Sequence, residues 1–161
     1  MDRAIVEHTG ERAALRPLFE LAEDSPAALD AYIEAGRVLV AVDGDAVLGH
    51  LLLTETDDSD VVEIKNMAVA EAHQGQGIGR ALVDAAVALA GAEGRTTLLV
   101  ATAAADIGNL RFYQRLDFRM RSIERDAFTA ATGYPSGIVV DGIPLRDRVW
   151  LDRHIGHRPA S

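Results

Sequence analysis

A chain of 161 residues, 48% hydrophobic and 25% charged, is long enough for one domain with a real core and too apolar to stay disordered. It contains no cysteine, which excludes disulfides, thiolate metal sites and a cysteine nucleophile. With 25 acidic against 16 basic residues the net charge is -9, the wrong sign for a nucleic-acid binder, which must neutralise phosphates with Lys and Arg.

The opening MDRAIVEHTG has no cationic start followed by an apolar block, and no run approaches the roughly 18 apolar residues of a membrane span. A cytoplasmic protein with no membrane partner is therefore expected. In chain order, Ala4 to Glu7 reads as a short strand. A helix follows from about Glu11, with Leu15, Leu18, Phe19 and Ala22 on one face and Pro17 placed to kink it or delay its start. Ser25 as N-cap, Pro26 at the first helical position and Gly36 as the stop frame a second helix. Arg37 to Val42 and Ala46 to Thr54 are strand-like around Asp43-Gly44-Asp45, a hairpin signal. Val61 to Val69 reads as a fourth, long strand.

Next comes His73-Gln74-Gly75-Gln76-Gly77-Ile78-Gly79-Arg80, three glycines at alternate positions before a helix over Arg80 to Gly91 with Leu82, Ala85, Ala86 and Leu89 on one face. Glycine lets another group approach the main chain, and a helix N-terminus offers unpaired N–H groups and a positive dipole end, so this loop suits a phosphate. Beyond it, Thr96 to Thr102 is a strand, Asn109 to Leu116 a short helix, and Phe118 to Glu124 and Val149 to His154 the last strands. Asp126 to Arg148 between them reads as a long irregular loop, of the kind that is functional or mobile. Its charges, Asp141, Arg146, Asp147 and Arg148, read first as solvated and second as substrate contacts. One domain is expected over residues 1–155, with 156–161 as a flexible tail. His154 and His157 have the spacing of a metal pair but no third ligand nearby in sequence, so no metal site is assigned.

The glycines miss two nucleotide motifs. From Gly75 the third glycine of a dinucleotide fingerprint would fall on Arg80, and from Gly77 on Leu82; no Gly-Lys-Ser/Thr of a P-loop occurs. The run Gln74 to Gly79 instead resembles the Gln/Arg-x-x-Gly-x-Gly/Ala pyrophosphate loop of the GNAT superfamily of N-acetyltransferases. VVEIKNMAVAEAH before it is similar to that family's fourth strand, GRALVDAAVALA to the helix after the loop, and Arg111 to Phe118, RFYQRLDF, to its late tyrosine segment. Asp117 departs from the glycine common there, although aspartate tolerates left-handed φ better than most residues.

The resemblance implies a mixed α/β domain. Its twisted sheet of about seven mostly antiparallel strands would splay between strands four and five, flanked by about four helices. It implies acetyl-CoA as cosubstrate, its pyrophosphate on the main chain of Gln74, Gly75, Gln76, Gly77, Ile78, Gly79 and Arg80, and its pantetheine arm along Met67, Ala68 and Val69. The acceptor would be a primary amine on a small molecule, amino acid or peptide, and a homodimer is compatible with the fold.

Tyr113 matches the family's tyrosine that protonates the leaving thiolate, against the alternative of a core aromatic. Glu63 matches the strand glutamate that serves one branch as general base, against a solvated strand residue; His50 and Glu124 are weaker candidates. Asn109 or Asp106 would contact the cofactor, and Asn109 could equally cap its helix. A main-chain N–H near Val69 would hold the oxyanion. The rival function is a non-catalytic acyl-CoA-binding or regulatory module on the same fold.

Overall fold

The computed structural model describes residues 3–156. The elements run β1 (Arg3–His8), α1 (Arg16–Leu21), α2 (Pro26–Tyr32), β2 (Arg37–Asp43), β3 (Ala46–Glu55), β4 (Val61–Val69), α3 (Ile78–Ala92), β5 (Thr97–Ala103), α4 (Ile107–Arg115), β6 (Arg119–Glu124), β7 (Val139–Val140), β8 (Ile143–Pro144) and β9 (Arg148–His154). Seven strands form one sheet in the order β1-β2-β3-β4-β5-β9-β6, and β7 and β8 pair separately. Every neighbour in the large sheet is antiparallel except β4 and β5. Those two are joined through α3, and a helical crossover is what a parallel pair requires.

Helices cover both faces, which explains the continuous apolar run of β2. Leu39 and Ala41 pack with Leu51, Val62, Leu82, Leu98 and Phe118 on the α3 side. Val38 and Val40 pack with Leu15, Phe19, Leu29 and Leu52 on the α1 and α2 side. Arg12 donates to the carbonyls of Ile33 and Gly36 at 2.8 Å each, satisfying groups that the end of α2 leaves open.

The parallel ladder is short: it runs from Val61 opposite Thr97 to Ile64 opposite Val100 and stops. On its other edge β4 carries one extra residue, since Leu53 pairs with Ile64 and Leu52 with Asn66. A bulge of this kind at Lys65 sharpens the strand's twist. Past it β4 leans away from β5, and a gap opens in the sheet.

The structure moves several boundaries. Pro17 delays the first helix, whose start is a separate turn of tighter 3-10 helix over Arg12–Leu15. The third helix begins at Ile78 rather than Arg80, and the fourth at Ile107 rather than Asn109. Asp106, not Asn109, caps that fourth helix, accepting the Asn109 N–H at 2.9 Å. Asp117 has φ 66°, as a residue in the glycine's place must. The segment between β6 and β9 is not wholly irregular: it holds a 3-10 turn over Ala130–Thr132 and the β7–β8 hairpin. Among the described residues no helix is long and apolar enough to cross a membrane. His157 and the tail from 157 lie outside the described residues.

Candidate active site

The gap between β4 and β5 is the floor of a cleft of about 640 Å³. Along β4 the main chain alternates between its neighbour and this gap. The Ala70 N–H donates to the Leu48 carbonyl at 2.8 Å, and with Ala68 opposite His50 and Val69 opposite Gly49 the ladder has Ala68 bonding to β3. Met67 and Val69 therefore turn their N–H and C=O groups into the gap. Of the three β4 residues expected at the pantetheine arm, Ala68 offers no main-chain group there. The Val69 carbonyl accepts from the Gln74 side chain at 3.1 Å, which ties the strand to the glycine loop and leaves the Val69 N–H open.

Gly75 and Gly77 have φ 77° and 80°, and a Cβ added at either would meet nothing within 4 Å. Open space above the loop and left-handed backbone are what a bound phosphate needs. Gly77 is the N-cap of α3, and among the described residues no side chain caps that helix, so the first-turn N–H groups of Ile78, Gly79 and Arg80 are left without an intrahelical partner. Gly79 serves a different end. Its backbone is helical, and a Cβ there would lie 3.2 Å from the Phe112 ring, so the glycine lets α4 pack closely on α3. The Arg80 side chain is mostly exposed, 3.9 Å from Asp84. Arg3 reaches the loop from β1 and donates to the Gln76 carbonyl at 3.4 Å, a cation beside the loop that no local sequence pattern signals.

Tyr113 lines the cleft from α4, 4% exposed and wedged edge-on between Phe112 and Phe118. Among the described residues no group bonds its hydroxyl. Burial, with the nearby Asp106 carboxylate, pushes that hydroxyl well above the usual tyrosine range, so it stays protonated at neutral pH. Asn109 and Asp106 both line the cleft. Asp106 is engaged as the helix cap, while Asn109 donates to Thr102 at 3.3 Å and keeps its amide oxygen free.

Glu63 also faces the cleft, with its side chain 14% exposed and its Oε2 3.9 Å from the Lys65 ammonium. Burial raises its carboxyl above the ordinary carboxylate range, and Lys65 and Arg148 partly offset the rise. A carboxylate shifted up towards neutrality is a better proton acceptor than a solvated one. His50 is elsewhere: fully buried under the Phe19 ring, it holds Asn66 at 2.7 Å. Burial lowers its pKa to about 4, so it is a neutral core residue. Glu124 accepts from Arg148 at 3.3 Å and from the Trp150 indole at 3.2 Å.

The far end of the cleft is built by residues that sequence reading passed over. Glu23, after α1, accepts from the Tyr32 hydroxyl at 3.1 Å and from the Tyr134 hydroxyl at 2.7 Å. Asn66 donates to Tyr32 at 2.9 Å, extending the chain of bonds to His50. This network joins the first helices to the segment between β6 and β9. Arg148, read from sequence first as a solvated charge and second as a substrate contact, has a side chain only 25% exposed and lines the cleft.

A sheet splayed over a glycine loop that opens a helix thus brings a protonated tyrosine and a largely buried carboxylate into one cleft. Residues 9–118 match the sequence model of the acetyltransferase (GNAT) family, and the chain belongs to that family, whose cosubstrate is acetyl-CoA. It is 36% identical over 140 residues to the uncharacterised N-acetyltransferase YvbK of Bacillus subtilis, covering 86% of this chain and 88% of that protein. A Bacillus subtilis acetyltransferase crystallised with CoA superposes with a TM-score of 0.85 at 33% identity, over 95% of this chain and 99% of that one. A GNAT acetyltransferase from Elizabethkingia anophelis with acetyl-CoA bound also gives 0.85, at 30% identity, over 94% and 97% of the two chains.

Proposed function

We propose that this acetyltransferase moves the acetyl group of acetyl-CoA to a primary amine by direct attack, with both substrates in the cleft at once. One observation carries the reading. The same cleft joins main-chain donors, from the loop and from Met67 and Val69, to a buried tyrosine hydroxyl and a buried carboxylate. The amides of Gly75 to Arg80 hold the pyrophosphate, since the Gln74 N–H already donates to the Glu71 carbonyl at 3.3 Å, and Met67, Val69 and Asn109 hold the pantetheine arm. Hydrogen bonds to charged groups contribute roughly 1.5 to 3 kcal/mol each, so a few suffice for micromolar binding.

An alkylamine with a pKa near 10.4 lies about 3.4 units from its neutral form at pH 7, a cost of roughly 4.6 kcal/mol that a base can offset. Glu63 takes the proton, directly or through a water. The nitrogen then attacks the thioester carbonyl, and the open Val69 N–H receives the oxyanion. As the C–N bond forms and the C–S bond breaks, the Tyr113 hydroxyl gives its proton to the departing thiolate and is reprotonated by one of the two protons still on the attacking nitrogen, the other staying on the amide. The products are an N-acetyl amine and free CoA.

Titration calorimetry with acetyl-CoA, followed by CoA thiol release across a panel of primary amines with the products weighed by mass spectrometry, tests this. Binding with N-acetyl products supports it. Binding with no transfer to any amine contradicts it and favours an acyl-CoA-binding module.

A further inference from the structure

Arg148 stands at the acceptor end of the cleft in a setting that fixes its plane. Its guanidinium carbon lies 4.8 Å from the Phe128 ring centroid and 6.0 Å from that of Trp150, so the fork sits against two aromatic rings. Glu124 touches it only through Nη1, at 3.3 and 3.4 Å, and the same carboxylate steadies Trp150. Among the described residues Nε and Nη2 have no partner. Three-quarters buried, oriented and only part-satisfied, this guanidinium has donors left for a planar anion, and a carboxylate fits its fork in two parallel bonds.

Register places it relative to the base. Glu63 lies opposite Leu99, Leu99 opposite Asp152, and Arg148 opposite Ala103. With a two-residue period these positions share one face of the sheet, the one left part-exposed along β5 and β9. Lys65 adds a second cation, 3.9 Å from Glu63 and 5.2 Å from the Tyr32 ring centroid. Between the charges the walls are Phe128, Tyr134 and Trp150.

From this arrangement we infer that Arg148 determines acceptor specificity: it binds a carboxylate carried by the acceptor itself, so the preferred substrate is a free amino acid with an apolar or aromatic side chain. Its ammonium faces Glu63, its carboxylate Arg148, and its side chain the aromatic wall. This rests on the amine-acetyltransferase reading above.

The test compares kcat/KM for leucine, methionine, phenylalanine and tryptophan with that for each carboxamide and each decarboxylated amine, using the wild type and Arg148→Met. The methionine stem keeps much of the packing between the rings. Losing a charged bidentate contact should cut kcat/KM for the amino acids about 10- to 100-fold, mainly through KM, and change the decarboxylated amines by less than about threefold. Arg148→Lys should recover only part, because an ammonium lacks the fork. Unchanged acetyl-CoA affinity by calorimetry shows that the variants are folded.

If the wild type uses the carboxamides or decarboxylated amines as well as the amino acids, or Arg148→Met slows all three classes equally, the inference is overturned while the amine reading stands. If acetyl-CoA binds and no amine of any class is acetylated, both fall.

Discussion

Replacing Glu63 with glutamine separates its chemistry from its cost to the fold. The native carboxyl is raised above its ordinary value of 4.5 by burial, so the folded state binds the proton more tightly than the unfolded chain. The stability it contributes is fully present below about pH 4.5 and is lost as pH rises through the raised value. Glu63→Gln should therefore melt no lower than the parent at pH 7 to 8, and its activity should fall most near neutrality and least at about pH 9.5, where the amine increasingly deprotonates unaided. A loss of activity equal at all pH values, together with a lower melting temperature, would make Glu63 structural. Tyr113→Phe keeps the ring between Phe112 and Phe118 and removes a hydroxyl that has no partner among the described residues, so its stability should hardly move while turnover drops by about 10² to 10⁴. Parent-level turnover, with chemistry shown to be rate-limiting, would reduce Tyr113 to a core aromatic. His50, by contrast, should titrate near 4 in an imidazole NMR experiment, and a value above 6 would contradict its burial as a neutral group.

The loop and the helix it opens divide three similar glycines into two roles. At Gly75 and Gly77 a valine would meet left-handed backbone and cover the open face, so acetyl-CoA affinity by calorimetry should fall at least about tenfold, with a stability loss of about 1 to 2 kcal/mol. At Gly79 a valine would press on Phe112, an overpacking cost of about 1 to 3 kcal/mol that thermal melts should register even without cofactor. Undiminished acetyl-CoA affinity in the Gly75 and Gly77 variants would mean the division is wrong. Elements set by local pattern were legible from sequence: α3 from its apolar stripe and the β2–β3 hairpin from Asp43-Gly44-Asp45, whereas the left-handed Asp117 was legible by resemblance, from the glycine whose place it takes. The splay was known only by resemblance, because it depends on a bulge at Lys65 and on where the β4–β5 ladder ends. Arg148 looked first like a surface charge because Phe128, which helps to orient it, comes from the segment between β6 and β9, while Trp150 meets it only once both lie on the same face of β9. The Glu23 network was hidden for the same reason, since Tyr134 lies 111 positions from the carboxylate it bonds.

At the scale of the whole molecule, the cleft is bounded by parts that only tertiary structure joins: α1 and its following turn, β4 and β5, α4, and the segment between β6 and β9. A ligand that bridges them should stabilise the fold as a unit. Saturation at about 100 times Kd contributes about 2.7 kcal/mol, which for a chain of this size is a rise in melting temperature of roughly 5 to 10 °C with acetyl-CoA. Loss of that rise in the Gly77→Val variant, with its apo fold intact, would place the cofactor on the loop; an undiminished rise would place it elsewhere. The central claim is that acetyl-CoA and amine occupy the cleft together and react directly, with no acetyl group resting on the protein. It is tested most directly by initial rates measured while both substrates are varied, alongside the intact mass of the enzyme after acetyl-CoA alone. Direct transfer predicts intersecting double-reciprocal lines and an unmodified chain, whereas parallel lines with an acetylated chain that passes its acetyl group to added amine would contradict it.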